Sequence, residues 1–432
     1  MAEQIKSLKT GIKYKDTPIG KIPVDWEIKK LIDTAKDEPY SFTGGPLGSN
    51  LKESSYTDSG VRIIQLQNIG DGEFLDRYKI YTSEEKADDL KSCNIYPGDI
   101  IIAKMADPVA RACLIPHVDN RYLMASDGIR LSVNENLYDK RYILYSINSK
   151  YFRENAEKHS TGTTRLRIGL TELKNLPLAF PPLKEQRSIA EILTAIDKEI
   201  EKTNQIIEKA KEAKKGLMQK LLTRGIGHKR FKKTEIGGIP VEWTVGIISD
   251  YGDIITGNTP PTAVQQYYGN EYPFVSPFDL GDKKYILKAE KSLSKNGFLL
   301  SRAIPPNSVL VVCIGSTIGK TGIAETELAT NQQINSIICK KANFNFVYYY
   351  LTFISRMLKK LASTQAVPIL NKRNFSEVQV AIPPIREQKV ISNILSSINE
   401  EIEKEMDYKQ QLDSIKKGLM QVLLTGKIRV KI

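Results

Sequence analysis

The segment Pro181–Thr223, PPLKEQRSIAEILTAIDKEIEKTNQIIEKAKEAKKGLMQKLLT, recurs as Pro383–Thr425, PPIREQKVISNILSSINEEIEKEMDYKQQLDSIKKGLMQVLLT. The two copies share 21 identical positions in 43 at an offset of 202 residues. A shorter motif recurs as Tyr14–Trp26 (YKDTPIGKIPVDW) and Phe231–Trp243 (FKKTEIGGIPVEW), with eight identities in thirteen. Identity over two separate segments indicates an internal duplication, which predicts the order globular domain, helix, globular domain, helix.

Each long repeat predicts one amphipathic helix. Seam positions recur at alternating steps of four and three, which is the heptad pattern of a coiled coil. In the first helix Thr203 and Lys214 are polar interruptions of this seam, and Ala210 also lies in it. The predicted seam consists of Ile189, Leu193, Ile196, Ile200, Ile207, Leu217 and Leu221 in the first helix and Ile391, Leu395, Ile398, Ile402, Leu412, Leu419 and Leu423 in the second. Glu405 and Lys409 interrupt the second seam, and Met406 and Ile415 predict a local shift of its apolar face.

The helices are too long to lie within an ordinary domain core. Forty helical residues extend about 60 Å, which exceeds the size of a domain of about 150 residues. We therefore expect the two helices to pair with each other as a spacer, although two amphipathic core helices are an alternative. Antiparallel pairing would relate the two domain-plus-helix repeats by a pseudo-two-fold axis.

The segments between the repeats predict two mixed α/β (α+β) domains. The predicted boundaries are residues 1–180 for the first domain, 181–227 for its helix, 228–382 for the second domain and 383–432 for its helix. The β-branched runs Asp99–Ala103 and Ser308–Val312 follow Pro-Gly and Pro-Pro pairs and predict buried strands. Helices are predicted over Lys140–His159 and Phe346–Ser363.

Charge and hydropathy limit the classes of partner. The 432 residues carry 63 Lys and Arg against 50 Asp and Glu, a formal net charge of +13, which favours a polyanionic partner. The longest strongly apolar run, Val309–Ile314, is far shorter than the about 20 residues of a membrane span, so no membrane partner is expected. Residues 1–6 lack the apolar core of a signal peptide, which predicts a cytoplasmic protein.

No arrangement of residues typical of catalysis or metal binding is found. Cysteines and histidines are scattered, at Cys93, Cys113, Cys313, Cys339, His117, His159 and His228, which predicts buried thiols and no metal site. Gly315–Thr321 (GSTIGKT) has three residues between its glycines, where a phosphate loop needs four, so nucleotide hydrolysis is not expected. Lys320 in this segment is either a contact to a nucleic-acid phosphate or part of a plain turn.

These features together resemble the specificity (S) subunit of type I DNA restriction–modification systems. The resemblance spans essentially the whole chain and is carried by the duplicated P-P-[LI]-[KR]-E-Q helices, the duplicated I-P-V-[DE]-W motifs and the divergence of the domains between them. It implies a chain without catalytic site or bound cofactor, in which each domain recognises one half of a bipartite double-stranded DNA site. It also implies partners: two modification subunits, which bind S-adenosylmethionine and methylate adenine, and restriction subunits, which use ATP and Mg to cut DNA.

Polar and cationic residues near the predicted loops are candidate DNA contacts. In the first domain these are Gly45, Ser49, Asn50 and Lys52 in one loop, Gln65, Gln67 and Asn68 along a predicted strand, and the cations Lys104, Arg111, Arg165 and Arg167. In the second domain they are Asn258, Thr259, Thr262, Tyr267 and Tyr268 in the corresponding loop, together with Lys320, Gln332, Gln333, Lys372 and Arg373. Lys372–Arg373 is expected at the place that Arg165 and Arg167 take in the first domain. Gln and Asn can bind adenine edges in the major groove, whereas the cations suit phosphates. Each also has a structural interpretation as a turn residue or solvated surface.

Two other functional classes remain possible from the residues. The alternative to DNA recognition is an interaction scaffold, with two protein-binding modules on a coiled-coil rod and an incidental positive charge. A self-contained enzyme is disfavoured by the missing motifs. The DNA half-sites and the spacer between them are not encoded in any simple residue pattern.

Overall fold

A computed structural model describes residues 13–105, 107–281, 283–362 and 367–430. Two sequence predictions fall partly outside these ranges: the missing signal-peptide core at residues 1–6, and the end of the second predicted domain helix at Ser363. The chain packs as two compact units: unit 1 takes the residues up to Lys202 together with those from Tyr408 onward, and unit 2 takes Thr203–Asp407. These units follow spatial packing rather than sequence similarity, so the domain boundaries given above remain a prediction.

Unit 1 is a mixed α and β structure. Its strands are β1 (Tyr14–Thr17), β2 (Gly20–Pro23), β3 (Glu27–Lys30), β4 (Phe42–Gly44), β5 (Tyr56–Thr57), β6 (Val61–Ile64), β7 (Ile80–Thr82), β8 (Asn94–Ile95), β9 (Ile100–Ala103), β10 (Ala112–Leu114), β11 (Tyr122–Met124), β12 (Gly128–Leu131) and β13 (Pro177–Phe180). Its shorter helices are α1 (Glu84–Asp89), α2 (Lys140–Ile147), α3 (Lys150–Lys158) and α4 (Leu170–Asn175), and α5 (Leu183–Arg224) begins in this unit.

The strands of unit 1 form two larger sheets and two pairs. The larger sheets have the orders β10-β9-β12-β4 and β5-β7-β6-β11-β8, and the pairs are β1-β2 and β13-β3. Strand β9, predicted from its isoleucine run, lies between β10 and β12, and all four of its residues are buried. The main apolar cluster of unit 1 joins the β10-β9-β12-β4 sheet to α2, to the start of α5 and to Leu423.

Unit 2 repeats this plan. Its strands are β14 (Phe231–Thr234), β15 (Gly237–Pro240), β16 (Thr244–Ile247), β17 (Gly252–Thr256), β18 (Tyr268–Val275), β19 (Tyr285–Ile286), β20 (Lys291–Leu293), β21 (Val309–Val312), β22 (Thr321–Ala324), β23 (Ala329–Thr330), β24 (Ile334–Cys339) and β25 (Gln379–Ile382). Its helices are α6 (Lys295–Leu299), α7 (Phe344–Phe353), α8 (Ser355–Leu361), α9 (Lys372–Ser376) and the start of α10 (Ile385–Leu423). The sheet orders are β17-β24-β21-β22-β19, β20-β18-β23, β16-β25 and β14-β15.

The long helices α5 and α10 pair antiparallel within each unit. In unit 1, Lys416 forms an ion pair with Asp197 at 2.6 Å, while Leu193 and Leu423 share the core. In unit 2, Lys214 donates a hydrogen bond to the Asn399 side chain. Of the predicted seam, Ile189, Leu193, Ile196, Ile207, Leu221, Ile391, Leu395, Ile402, Leu412 and Leu423 are buried, and Ile200, Leu217, Ile398 and Leu419 are half-buried.

Three local predictions are wrong. The expected shift of the α10 seam does not occur, because Met406 and Ile415 are 50% and 52% exposed. The helix predicted over Lys140–His159 is two helices, α2 and α3, because the Asn148 side chain bonds both backbone groups of Ala112 and the Ser149 side chain caps α3. The second predicted helix likewise divides into α7 and α8 at Ile354, which terminates one and starts the other.

The repeated Pro-Pro-x-x-Glu-Gln motif connects each long helix to its unit. Gln186 donates to the Pro181 carbonyl oxygen at 2.9 Å and accepts from the backbone N–H of Asp139, the N-cap of α2, at 3.0 Å. In unit 2, Gln388 accepts in the same way from Asn343, the N-cap of α7, at 2.9 Å. The glutamine therefore joins the start of a long helix to the start of a domain helix.

The glutamate of this motif is buried in unit 1 and pairs with distant residues. Glu185 is fully buried and accepts from the Trp26 indole N–H at 3.3 Å. The Arg429 guanidinium donates to both oxygens of Glu185, at 2.6 and 2.8 Å, and also binds Asp25. Its hydrogen bond to Asp25 holds the pKa of that carboxyl below its ordinary value. One carboxylate thus connects the first hairpin, the start of α5 and the segment after α10.

Unit 2 builds a similar connection with a histidine in place of the arginine. Glu387 accepts from the Trp243 indole N–H at 2.8 Å and from His228 Nε2 at 2.9 Å. His228 Nδ1 lies 3.0 Å from a Glu242 oxygen. Gly225, with φ +61°, turns the chain after α5, and a Cβ there would lie 2.8 Å from the Trp243 ring. Since left-handed backbone and close contact coincide at this point, glycine is required.

A buried lysine distinguishes unit 2 from unit 1. Lys284 is only 6% exposed, lies 4.8 Å from the Tyr349 ring centre and donates to the Ser396 hydroxyl at 2.9 Å. Burial lowers its pKa to about 8, although Glu400 and Glu403 act in the opposite direction. The repeat partner of Ser396 in unit 1 is Thr194. It lies beside the ion pair between Asp197 and Lys416 instead of beside a buried lysine such as Lys284.

Breaking the unit 1 connection should destabilise that unit. We expect Arg429→Met to lower its free energy of unfolding by about 3 kcal/mol, because Glu185 keeps a buried charge without its cation. The chain has two tryptophans, so urea unfolding followed by Trp26 fluorescence in a Trp243→Phe background isolates unit 1. Arg429→Lys is the charge-retaining control, and an Arg429→Met transition that coincides with that of the parent would contradict the assignment.

Lys284 should make unit 2 more stable as the pH rises. Its pKa is about 8 in the folded chain against an ordinary value of 10.5, so the unfolded state binds more protons between these values and stability increases across that window. We expect a gain of about 2 kcal/mol from pH 7.5 to 10 relative to Lys284→Met. The measurement is urea unfolding followed by Trp243 fluorescence in a Trp26→Phe background. Parallel pH profiles of stability for the parent and for Lys284→Met would refute the role of Lys284.

Candidate nucleic-acid interface

Equivalent strands of the two units carry the predicted DNA-binding loops. In unit 1, β12 pairs antiparallel with β9 and with β4. In unit 2, β24 pairs antiparallel with β21 and with β17. The loops after β4 and β17 therefore correspond, and so do residues 125–127 before β12 and 331–333 before β24. The predicted correspondence of the loops at Thr43–Lys52 and Thr256–Thr262 agrees with this pairing.

The loop after β4 presents polar side chains to solvent. Ser49, Asn50 and Lys52 are exposed. Gly45 lies at the base of the loop, where a Cβ would come within 1.9 Å of the Ala125 carbonyl oxygen. Only glycine permits this approach of two backbones. Gly45 therefore has a structural role in this loop, while the other three side chains are accessible to a ligand.

Arg111 and Arg165, which lie far apart in the sequence, meet at one cavity. The cavity has a volume of about 460 Å³ and is lined by both arginines together with Leu66 and Thr164. Arg111 also donates to the Leu66 carbonyl oxygen at 2.9 Å, which fixes its position. Arg165 is exposed. The arrangement brings two positive charges to one part of the surface of unit 1, one of them held in place and the other exposed.

Lys104 and Arg167 form a second pair of neighbouring cations. Lys104 donates to the Ser126 carbonyl oxygen at 3.2 Å, and Arg167 lies 2.9 Å from an Asp127 oxygen. Burial lowers the pKa of Lys104, and the adjacent Arg167 lowers it further. A lysine that is partly desolvated beside another cation gains from contact with an anion, which is what a phosphate would supply.

The Gln65 region is a turn and not the strand that the sequence predicts. Strand β6 ends at Ile64, and Leu66–Asn68 forms a short 3-10 turn. Asn68 is fully buried and accepts from the Gln65 backbone N–H at 3.0 Å, so it shapes the turn and does not face a ligand. The exposed Gln67 donates to Gln65 Oε1 at 2.7 Å. Two glutamine side chains are thus held together at the surface.

In unit 2 the predicted glutamines lie against the loop after β17. The Thr259 hydroxyl donates to Gln332 Oε1 at 2.6 Å. Gln333 Oε1 accepts from the Asn331 amide at 3.0 Å. Gln332 and Thr259 are exposed. This cluster corresponds by strand pairing to the Ala125–Asp127 segment of unit 1, which holds the cations there.

Asn258 and Arg302 form the other side of this loop. Asn258 Oδ1 accepts from the Arg302 backbone N–H at 2.9 Å, and its amide donates to the Leu300 carbonyl oxygen at 3.0 Å. The Arg302 guanidinium donates to the Thr256 carbonyl oxygen at 2.6 Å. Arg302 and Asn331 have no local sequence signal, because their contacts with the loop span tens of residues and follow no local pattern.

The remaining loop residues of unit 2 surround a larger cavity. It has a volume of about 660 Å³ and is lined by Thr259, Thr262, Tyr268 and Asn331 among others. Tyr268 donates its hydroxyl to the Pro260 carbonyl oxygen at 2.9 Å and thereby holds the loop. The neighbouring Tyr267 is half-buried, and its carbonyl oxygen accepts from Ser294 at 3.0 Å. The two tyrosines mainly support the loop, whereas Thr262 is exposed.

The Gly315–Thr321 segment is a closed turn. The backbone N–H groups of Ile318, Gly319 and Lys320 donate to Gly315, Val312 and Thr317 carbonyl oxygens, at 3.4, 2.9 and 3.1 Å. These N–H groups therefore cannot wrap a phosphate as a phosphate loop does. The Lys320 side chain is half-buried and packs beside Gly281, which leaves it as a single candidate contact.

The proposed equivalence of Lys372–Arg373 with Arg165 and Arg167 is wrong. Arg167 forms an isolated bridge with Met105, and the corresponding bridge in unit 2 joins Ile314 to Ile369. Lys372 and Arg373 instead begin α9, which corresponds to α4 of unit 1. Both are exposed, and Arg373 pairs with Glu377 at 3.1 Å.

The described ranges bear on the predictions about metal binding, thiols and membrane spans. No cluster of three or more His, Cys, Asp or Glu side chains there could hold a metal ion. Cys93, Cys113 and Cys313 are buried and Cys339 is half-buried. Burial raises the pKa of Cys313 to about 12, which keeps it a neutral thiol. Nor does any described helix combine the length and apolar character needed to cross a membrane.

Comparison with known proteins agrees with this arrangement of two equivalent units. The profile described as "Type I restriction modification DNA specificity domain" matches residues 23–212 and again residues 240–413. The chain belongs to the type I restriction–modification specificity subunit family. It is 29% identical to the putative type I restriction enzyme MjaX specificity subunit of Methanocaldococcus jannaschii, with 97% of each chain covered. It is 30% identical to the MjaVIII specificity subunit of the same organism, over 72% of this chain and 75% of that one.

Solved structures show the same fold in this specificity-subunit family. The S subunit of the type I restriction–modification system from M. genitalium has a TM-score of 0.58 at 14% identity, covering 96% of this chain and 97% of that one. A chain from a study of complex assembly in the type I R-M system has a TM-score of 0.56 at 16% identity, over 94% and 100%. The predicted mixed fold of two tandem domains, each followed by a long helix, is confirmed.

If Arg165 contacts a DNA phosphate, its removal should weaken binding equally on all sequences. We expect Arg165→Ala to lower the slope of log affinity against log salt concentration by about 1. Arg121→Ala is a matched control, because Arg121 is already neutralised by Glu84 and Asp88. Fluorescence anisotropy with a labelled duplex over a salt series measures both. Equal slopes for Arg165→Ala and the parent chain would remove Arg165 from the interface.

Proposed function

We propose that this specificity subunit recognises a bipartite DNA site, with one half bound by each unit. The observation that carries the proposal is the pair of equivalent loops, after β4 and after β17, each beside its own polar cluster. Because the scaffold is repeated while these side chains differ, the two units would bind different half-sites. The net charge of +13 supports a polyanionic partner common to both.

The chain would act without chemistry of its own. Adenine methylation would be done by two modification subunits, which carry S-adenosylmethionine, and cleavage by restriction subunits, which use ATP and Mg. Support comes from family membership and from the hydrogen-bonded backbone of the Gly315–Thr321 turn, the segment most similar to a phosphate loop.

The long helices would provide two equivalent docking sites for the modification subunits. Ile206 and Tyr408 occupy the same position of the repeat and are 41% and 43% exposed. An apolar side chain kept at the surface in both copies suits a partner that binds twice. Charged residues flank it, including Glu199, Lys202, Lys209 and Lys215.

Mapping of modified bases tests this function directly. We expect a host that carries this gene, together with its modification subunit, to show N6-methyladenine in a split, asymmetric motif, and the motif to disappear when only this gene is deleted. A deletion strain that retains the motif would contradict the proposal. A purified chain that binds protein partners with no salt-dependent DNA affinity would instead favour the interaction scaffold.

A further inference from the structure

We infer that Phe278 is a specificity-determining residue of unit 2, which contacts the 5-methyl group of a thymine in the half-site bound by that unit. The inference rests on the proposed function, since it requires DNA at this surface. It concerns a residue that neither its sequence context nor the spacing of polar residues points to.

Phe278 lies on a turn that is rigid before any ligand binds. The turn Pro277–Asp279 follows β18, and its Asp279 carboxylate accepts from the Ser276 N–H and hydroxyl, both at 2.8 Å. The same carboxylate accepts from the Glu290 N–H at 2.7 Å. Phe278 is 77% exposed, the largest value for a phenylalanine in the described ranges. The fold therefore fixes the backbone of the turn and leaves the Phe278 ring exposed to water.

This turn borders the candidate DNA-binding loop. The cavity of about 660 Å³ described above is lined by Ser276 and Asp279, which flank the two central turn residues, and by Thr259, Thr262 and Asn331. Asn331 also donates its backbone N–H to the Val275 carbonyl oxygen at 3.0 Å. A duplex bound across this cavity would thus pass beside the turn that carries Phe278.

Phe278 occupies the position that Gln67 holds in unit 1. Both turns follow the corresponding strands β18 and β6, and in both the first backbone N–H donates to a side chain three residues later. The distance is 2.8 Å from Ser276 to Asp279 and 3.0 Å from Gln65 to Asn68. Counted from Gln65 and from Ser276, Gln67 and Phe278 each stand third, and both are exposed. One position of a shared scaffold is therefore polar in unit 1 and aromatic in unit 2.

The chemistry of the two side chains indicates different bases. A glutamine amide can form two hydrogen bonds with an adenine edge in the major groove. Phenylalanine forms no hydrogen bonds with a base edge, and the apolar group exposed in that groove is the thymine methyl. Replacing glutamine by phenylalanine would therefore change the base preferred at this position while leaving the backbone of the turn unaltered.

Deoxyuridine substitution tests the contact, because uracil keeps the hydrogen-bonding edges of thymine and lacks only the methyl group. The full chain with its modification subunits is titrated with duplexes that carry the mapped motif. In each duplex, one thymine of the half-site bound by unit 2 is replaced by deoxyuridine. At one position we expect a loss of affinity of about four-fold, the value of one buried methyl group. Phe278→Ala should bind thymine and uracil duplexes equally, and Phe278→Leu should retain part of the difference.

Controls separate this inference from the proposed function and from misfolding. Gln67→Ala should keep the sensitivity to uracil, and an unchanged Trp243 fluorescence transition confirms that unit 2 of Phe278→Ala is folded. The inference is wrong if Phe278→Ala keeps the methyl effect, if no thymine shows one, or if affinity falls equally on every duplex, as for a wedge between bases. Absence of any split motif would instead reject the proposed function.

Discussion

A glutamate at the start of each long helix, fully buried at Glu185 and half-buried at Glu387, holds distant segments of each unit together. Removing a carboxylate from water costs several kcal/mol unless it is paired, so Glu185 and Glu387 require partners inside the fold. Those partners come from segments far apart in the chain: a tryptophan just after the first hairpin of the unit, and a residue beyond the opposite long helix, Arg429 for Glu185 and His228 for Glu387. Satisfying one charge therefore fixes the hairpin, the helix start and the following segment together. This explains why both repeats keep Pro-Pro-x-x-Glu-Gln and Ile-Pro-Val-x-Trp.

A scaffold fixed in this way leaves its loops free to diverge. The strands that carry the candidate interface correspond between the units, yet Asp127 holds a cation in unit 1 while Gln333 accepts from an amide in unit 2. The helices tolerate divergence as well. Asp197 pairs with Lys416, whereas its repeat partner Asn399 accepts from Lys214 near the buried Lys284. Stability is thus supplied by the repeated elements, and binding specificity can change without altering them.

The sequence was most informative where a period or an identity was involved. The duplicated segments predicted the domain order and the long helices, and the isoleucine and valine runs predicted β9 and β21, because burial imposes these patterns on neighbouring residues. Contacts between distant residues left no such signal. The bond from Arg429 to Glu185 spans 244 residues, and the division of one predicted helix at Asn148 depends on its bonds to Ala112. The Lys372–Arg373 alignment was wrong because the loops before α9 and α4 have no shared residues to set their register.

Recognition of a separate half-site by each unit can be measured in the host. Its most direct measurement is a map of methylated adenines in a host whose chain carries Gln332→Ala and Gln333→Ala together, compared with a host carrying the parent chain. We expect the half-site bound by unit 2 to become degenerate while the other half-site and the spacer between them stay unchanged. Equal degeneration of both half-sites, or a motif identical to that of the parent, would contradict it.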